Sequence, residues 1–112
     1  MKNQILAVMM LISGIAFSQN PCESDICVVQ FNASWNESNG VSYLDELTNC
    51  DIMSVNIDEG IYQKEYGIVV VPTIIIFNGD EVERFQANIM MQMEATRKEI
   101  QSVIDELLMS KF

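Results

Sequence analysis

Thr73-Ile74-Ile75-Ile76-Phe77-Asn78-Gly79-Asp80-Glu81-Val82-Glu83-Arg84-Phe85 sets two strand-like runs on either side of an asparagine–glycine pair. Residues 73–77 form a dense β-branched run, the composition favoured on a pleated surface. Asn-Gly between such runs signals a β-hairpin, because a type I′ turn requires positive φ at both central residues. Upstream, residues 26–31 are apolar apart from Gln30, which fits a central strand buried on both faces. Residues 52–57 read as a further strand. Asn36-Glu37-Ser38-Asn39-Gly40 is a polar cluster suited to a loop and a helix start, after which Val41, Leu44 and Leu47 recur at helical spacing as far as Thr48. Asp58-Glu59-Gly60 opens a short helix that ends near Tyr66-Gly67, the glycine suiting a left-handed position past a helix C-terminus. Residues 91–109 place Ile100, Val103, Ile104, Leu107 and Leu108 on one face of an amphipathic helix. The expected order is β-α-β-α-β-β-α, with no repeat or linker.

Composition narrows the function. The chain has 112 residues, enough for one domain with a real core. Sixteen acidic residues against six basic ones, a formal charge of −10, exclude the phosphate-binding surface that nucleic acids or anionic membranes demand. No histidine is present, which removes Ser-His and Cys-His nucleophile pairs and His-ligated zinc. The acidic clusters Asp58-Glu59 and Asp80-Glu81-Glu83 lack the spacing of a calcium-binding loop and read as a solvated face. No metal and no cofactor are expected.

The N-terminus reads as an address. Met1-Lys2-Asn3-Gln4 is a short positive start, residues 5–17 are predominantly apolar, and Ala16-Phe17-Ser18 puts small residues where a signal peptidase reads them. The apolar run is well short of the roughly 20 residues that span a bilayer. Residues 1–18 are therefore expected to be a signal peptide cleaved before Gln19. Residues 19–112 would be a secreted or periplasmic domain with no membrane attachment. Losing Lys2 takes the formal charge from −10 to −11. In an oxidising compartment the three cysteines can form and keep a disulfide.

Several stretches together resemble the thioredoxin family. Val28-Val29-Gln30-Phe31-Asn32-Ala33-Ser34-Trp35 looks like the first core strand of thioredoxins, which runs into Ala-x-Trp before the active site. Val55-Asn56-Ile57-Asp58 resembles the end of the next strand. Tyr66-Gly67-Ile68-Val69-Val70-Val71-Pro72-Thr73 is similar to the family's Tyr-Gly-Ile-x-x-x-Pro-Thr, and Phe77-Asn78-Gly79-Asp80 to its hairpin. The resemblance implies an α/β thioredoxin-like fold with a four-stranded mixed sheet and three flanking helices. The first two strands would be parallel. The N-terminal strand and helix of full thioredoxins would be missing and the helix after Trp35 shortened.

The resemblance also implies what is gone. Thioredoxins follow the tryptophan with Cys-x-x-Cys, the first cysteine being activated at a helix N-terminus. Here Trp35 precedes Asn36-Glu37-Ser38-Asn39, so both cysteine positions, Asn36 and Asn39, hold amides that neither attack nor form disulfides. The family's buried aspartate and its lysine partner correspond to Gln30 and Ser54. What is retained implies a groove lined by Trp35, Val71, a cis Pro72 and the loop Gln86-Ala87-Asn88-Ile89-Met90, able to hold an extended peptide. Ala87 stands where the family usually has glycine. Met90, Met91 and Met93 read either as adaptable binding side chains or as packing for the last helix. Asn32-Ala33-Ser34 and Asn36-Glu37-Ser38 both fit the N-glycosylation pattern.

The cysteines follow from the same alignment. Cys27 and Cys50 begin the first two strands, at the end of the sheet away from Trp35, and point to opposite faces. Cys22 in the lead-in can reach either, and pairing with Cys50 is favoured because Cys27 begins a buried strand. The remaining cysteine would be a buried thiol or an intermolecular bridge. The leading functional expectation is a redox-inactive binding module for an exported protein or extended peptide. The alternative is a thiol-disulfide oxidoreductase working through Cys22, Cys27 or Cys50.

Overall fold

The computed structural model describes Cys22 and residues 25–58 and 60–110. The expected signal peptide and its cleavage before Gln19 lie outside the described residues. Four strands, β1 (Cys27–Asn32), β2 (Asp51–Asn56), β3 (Thr73–Asn78) and β4 (Asp80–Gln86), form one sheet in the order β2-β1-β3-β4. β1 runs parallel to β2 and antiparallel to β3, and β3 is antiparallel to β4. This is the mixed sheet expected from the sequence.

Position in the sheet accounts for composition. The central strands β1 and β3 are buried at every residue but their last, while β2 and β4 are mostly exposed. A strand covered on both faces favours apolar side chains, which explains the composition of β1 and β3; the buried polar residues Gln30 and Thr73 are each hydrogen-bonded to backbone. The alternation of strand side chains divides the core in two. Val29, Phe31, Ile75 and Phe77 pack on one face with Ile57, Tyr66 and Ile68. Val28, Ile74 and Ile76 pack on the other with Leu44, Leu47, Ile100 and Ile104.

Three helical regions cover these faces, and two differ in detail from the sequence expectation. After β1 the chain forms two 3-10 segments, Ser34–Asn39 and Leu44–Glu46, in place of one helix through Thr48. Leu44 and Leu47 still reach the core as their spacing predicts. Asn36 takes non-helical φ/ψ of −115° and 17°, and a stretch this short gains too little from helix propagation to override such a break. Helix α1 (Ile61–Tyr66) ends at Gly67, with φ of 62°. There Gly67 N–H donates to the Lys64 carbonyl and Ile68 N–H to that of Gln63, the paired bonds of a Schellman motif. Arg84 from β4 completes this cap, donating to the Gly67 and Tyr66 carbonyls at 2.9 and 2.6 Å while forming a 2.8 Å ion pair with Glu81. The last helix, α2, spans Arg97–Met109 rather than starting at Met91. Its start is set by a capping box in which the Thr96 hydroxyl accepts from Glu99 N–H and Glu99 reaches back to Thr96 N–H. Met91 has φ of 62° and cannot be part of that helix.

The hairpin is present but its turn is not type I′. Gly79 has φ of 86°, whereas the non-glycine residues with positive φ among those described are Asn49 and Met91, so Asn78 does not supply the second one. The strands absorb the difference as a register shift between Ile76 and Phe77, which pair with Glu83 and Glu81.

Ile75 is fully buried in a central strand, so Ile75→Ala is expected to cost about 2–5 kcal/mol, whereas exposed Val82→Ala on β4 should cost under about 1 kcal/mol. Urea unfolding followed by circular dichroism measures both.

Candidate functional site

The C-terminal ends of β1 and β2, the loop before β3 and the loop after β4 converge at one end of the sheet. Between them lies a cavity of about 370 Å³. Its walls include Ala33, Ile57, Ile68 and Val71, and its rim carries Trp35, Val69, Ile89 and Met91. The rim residues are apolar yet exposed, Trp35 by 68%, Val69 by 75% and Ile89 by 96%. Asp58, Gln63, Val70 and Asn88 complete the lining.

Each wall is held by specific hydrogen bonds. Val71–Pro72 is a cis peptide, as the sequence comparison implies. Pro72 is fully buried and its carbonyl accepts from Ala87 N–H at 3.0 Å. Thr73 Oγ1 donates to the Val70 carbonyl at 2.7 Å. Of the residues expected at the groove, Trp35 and Val71 line the cavity, while Pro72 and Ala87 are buried next to lining residues Val71 and Asn88. Asn88 Oδ1 accepts from the N–H groups of Met90 and Gln92 at 2.9 and 3.1 Å, and Asn88 N–H donates to the Gln92 carbonyl at 3.0 Å. That tight turn forces Met91 to positive φ and holds Ile89 out into solvent. Met93 packs against the core beside α2, whereas Met90 and Met91 are exposed.

Asn36 is 4% exposed and forms the hub of an amide network. Its Nδ2 donates to Asn32 Oδ1 and to the Val71 carbonyl, each at 3.2 Å, and its Oδ1 accepts from Asn39 Nδ2 at 2.8 Å. Asn32 Nδ2 donates in turn to the Asn36 carbonyl at 3.1 Å. The asparagines of both glycosylation patterns are thereby engaged in hydrogen bonds, and Asn36 is buried in the fold. Gln30 and Ser54 stand opposite each other in the β1–β2 register, and Gln30 Oε1 accepts from Val41 N–H at 2.8 Å.

Trp35 is positioned through its neighbour. Asp58 accepts from Ser34 N–H at 2.9 Å with one oxygen and from the Ser34 hydroxyl with the other. Asn56 Nδ2 donates to that hydroxyl at 2.9 Å, and Asp58 N–H donates to Asn56 Oδ1 at 2.7 Å. The hydrogen bonds from the Ser34 side chain and backbone hold the Asp58 carboxyl below the usual aspartate range. Neither residue stands out in the sequence: Asp58 reads as a solvated charge, and the exposure of Val69 within an apolar run leaves no mark in composition.

The disulfide corrects the sequence expectation: Cys22 pairs with Cys27, not with Cys50. Cys27 and Cys50 do belong to opposite faces, the first packing beside Val29 and the second beside Ile52. Cys22, five residues before Cys27, meets the face that Cys27 presents. Cys50 is a free, half-buried thiol. Burial pushes its pKa up, and the Asp51 charge adds to the shift. The disulfide sits at the start of β1, the opposite end of the sheet from Trp35.

Among solved structures, a single-residue mutant of a thioredoxin from Halobacterium salinarum matches with a TM-score of 0.56 and 23% identity, over 75% of each chain. Thioredoxin-2 of the malaria parasite, described as a component of its protein secretion machinery, matches with a TM-score of 0.55 and 16% identity, over 80% of this chain and 93% of its own. The fold is thioredoxin-like. Arabidopsis thaliana thioredoxin O2 in its oxidised state adds a third match, with a TM-score of 0.51 and 17% identity over 88% of this chain and 87% of its own. No protein-family model and no curated protein matches the sequence. Within this thioredoxin-like fold the cavity lies beside the cis-proline loop, and among the described residues no group of three or more Cys, Asp or Glu is placed to hold a metal ion.

Two measurements probe this arrangement. Because the Asp58 pKa is depressed in the fold, the Ser34–Asp58 tie is complete above about pH 3.9 and is lost as the pH falls through the lowered value. Trp35, the sole tryptophan, should report this as a fluorescence transition below pH 3.9 that Asp58→Asn removes. The native chain should show one thiol, reacting more slowly at neutral pH than a free cysteine because less of it is thiolate, and three after reduction and unfolding. Timed alkylation with mass spectrometry reads both.

Proposed function

We propose that this chain is an exported, thioredoxin-fold binding protein that works without redox chemistry, holding an extended apolar peptide segment in the groove rimmed by Trp35, Val69 and Ile89. The supporting observation is the rim itself. Soluble domains rarely leave a Trp, a Val and an Ile together in solvent around a concave site unless something covers them. Hydrogen bonds at Ser34, Val70 and Asn88 fix the backbone beside these side chains, which lowers the loop-ordering cost when a partner binds.

The loss of redox chemistry follows from Asn36 and Asn39, which stand where the resemblance places the family's two cysteines. Asn36 is committed to the Val71 carbonyl and to Asn32, and its amide nitrogen has no free electron pair for attack on a disulfide. Gln30 and Ser54, facing each other across β1 and β2, supply no titrating group to serve a thiol. Val71 keeps one carbonyl lone pair for a ligand, because Asn36 occupies the other.

The Cys22–Cys27 disulfide favours a second reading, thiol-disulfide exchange at the far end of the sheet. A substrate thiolate would attack Cys22, which is half-buried, breaking the S–S bond and releasing Cys27 as thiolate. Cys27 is fully buried in an apolar core, where a thiolate is poorly solvated and leaves slowly. A structural staple is the better account.

Insulin reduction by dithiothreitol separates the readings. No rate above background is expected, and turnover abolished by Cys22→Ala establishes the second reading. Reduced and alkylated insulin B chain serves as an extended apolar probe. Trp35→Ala and Val69→Ser should each weaken its binding about tenfold or more while leaving urea stability within about 1 kcal/mol.

A further inference from the structure

Among the described residues, Asp58 is the one ionisable side chain that lines the cavity. One of its oxygens accepts from Ser34 N–H and the other from the Ser34 hydroxyl, and the Asn56 side chain adds a further hydrogen bond. A carboxylate has about four acceptor positions, so capacity remains on an exposed group that is already aimed by its bonds to Ser34. Those bonds fix the residue immediately before Trp35, whose exposed indole lines the same cavity. An aromatic ring and a carboxylate lining one cavity are the components of a cation receptor: the ring can supply its negative face and the carboxylate a charged acceptor. None of the described basic side chains, Lys64, Arg84, Arg97 and Lys98, lines the cavity to compete. Arg84 is occupied by Glu81 and the end of α1. A chain with a formal charge of −10 also attracts cationic ligands from a distance.

We propose that the groove is selective for an extended segment carrying a lysine or arginine two residues from an apolar side chain, the cation seated between Trp35 and Asp58 and the apolar group against Ile57, Ile68 and Val71. The spacing follows from extended backbone, in which residues i and i+2 point to the same side. Gln63 and Asn88, the uncharged polar residues of the lining, face the segment's peptide groups. This inference rests on the binding reading above and adds the chemistry of the partner.

The test uses the full chain and three nine-residue peptides of alternating valine and serine, in which the central valine is replaced by leucine, by lysine or by glutamate. Binding is read by Trp35 fluorescence and by calorimetry at low and high salt. The lysine peptide is expected to bind at least fivefold tighter than the leucine peptide, and the glutamate peptide weakest. Salt should shrink the lysine preference. Asp58→Asn should bring the lysine and leucine peptides to equal affinity. Trp35→Leu, which keeps an apolar side chain but removes the π face, should reduce the lysine preference independently. Equal affinity of the lysine and leucine peptides for the native chain overturns the cation inference and leaves the binding reading standing. A lysine preference that survives both substitutions likewise overturns it. Absence of binding by all three peptides at millimolar concentration overturns both.

Discussion

The two central strands have no solvent face. Every residue of β1 and β3 except the last of each is buried, so the sheet is stable only when both sides are covered. Each fully buried aliphatic or aromatic side chain contributes about 1.5–3 kcal/mol relative to exposure. The period of two sends these contributions to opposite faces, and the rest of the chain is arranged to meet them. On one side Tyr66 packs against Phe31 and Phe77 at centroid distances of 5.1 and 5.8 Å, anchoring α1. On the other, Ile100 and Ile104 of α2 are fully buried with Leu44 and Leu47. The cysteines fall under the same rule, since Cys27 faces one core and Cys50 lies by the other.

The site is a consequence of how these layers end. Chain leaving β1, β2 and β4 and chain entering β3 reach the same edge of the sheet, where backbone groups no longer have ladder partners. Side chains take up that role: Asn36 on the Val71 carbonyl, Asp58 on Ser34, and Asn88 on its own turn. All of these are short polar residues suited to local backbone hydrogen bonding. Their hydrogen bonds fix the loops around the cavity, and apolar residues of the same loops remain on the outward surface beside them. The exposed rim of Trp35, Val69 and Ile89 stands on these loops.

Much of this was legible in the residues. The central strands were readable because double burial demands an unbroken apolar run, as in Ile74-Ile75-Ile76-Phe77. Gly67 marked the end of α1, since its positive φ would strain any side chain. Boundaries that depend on local hydrogen bonds were harder. The apolar spacing of residues 91–109 extends past the true start of α2, which Thr96 and Glu99 decide with a capping box. The turn at Asn78-Gly79 carries the composition of a type I′ hairpin, yet the sheet's bulge lets Gly79 alone take positive φ. Trp35 and Val71 were identifiable as groove residues by resemblance. Pro72 and Ala87 come from the same resemblance, and only packing shows that both are buried.

The sequence by itself determined the thioredoxin-like order of strands and helices, the two-sided core and the absence of cysteine from the four residues that follow Trp35, because these depend on residue type and spacing along the chain. Tertiary structure decided which cysteine Cys22 meets, that Asp58 orients the loop before Trp35, and that Val69 and Ile89 stand in solvent. The physical reason is common to all three. Each depends on which groups approach from distant parts of the chain, and a side chain's own composition does not encode whether its neighbour in space is a sulfur, a hydroxyl or water.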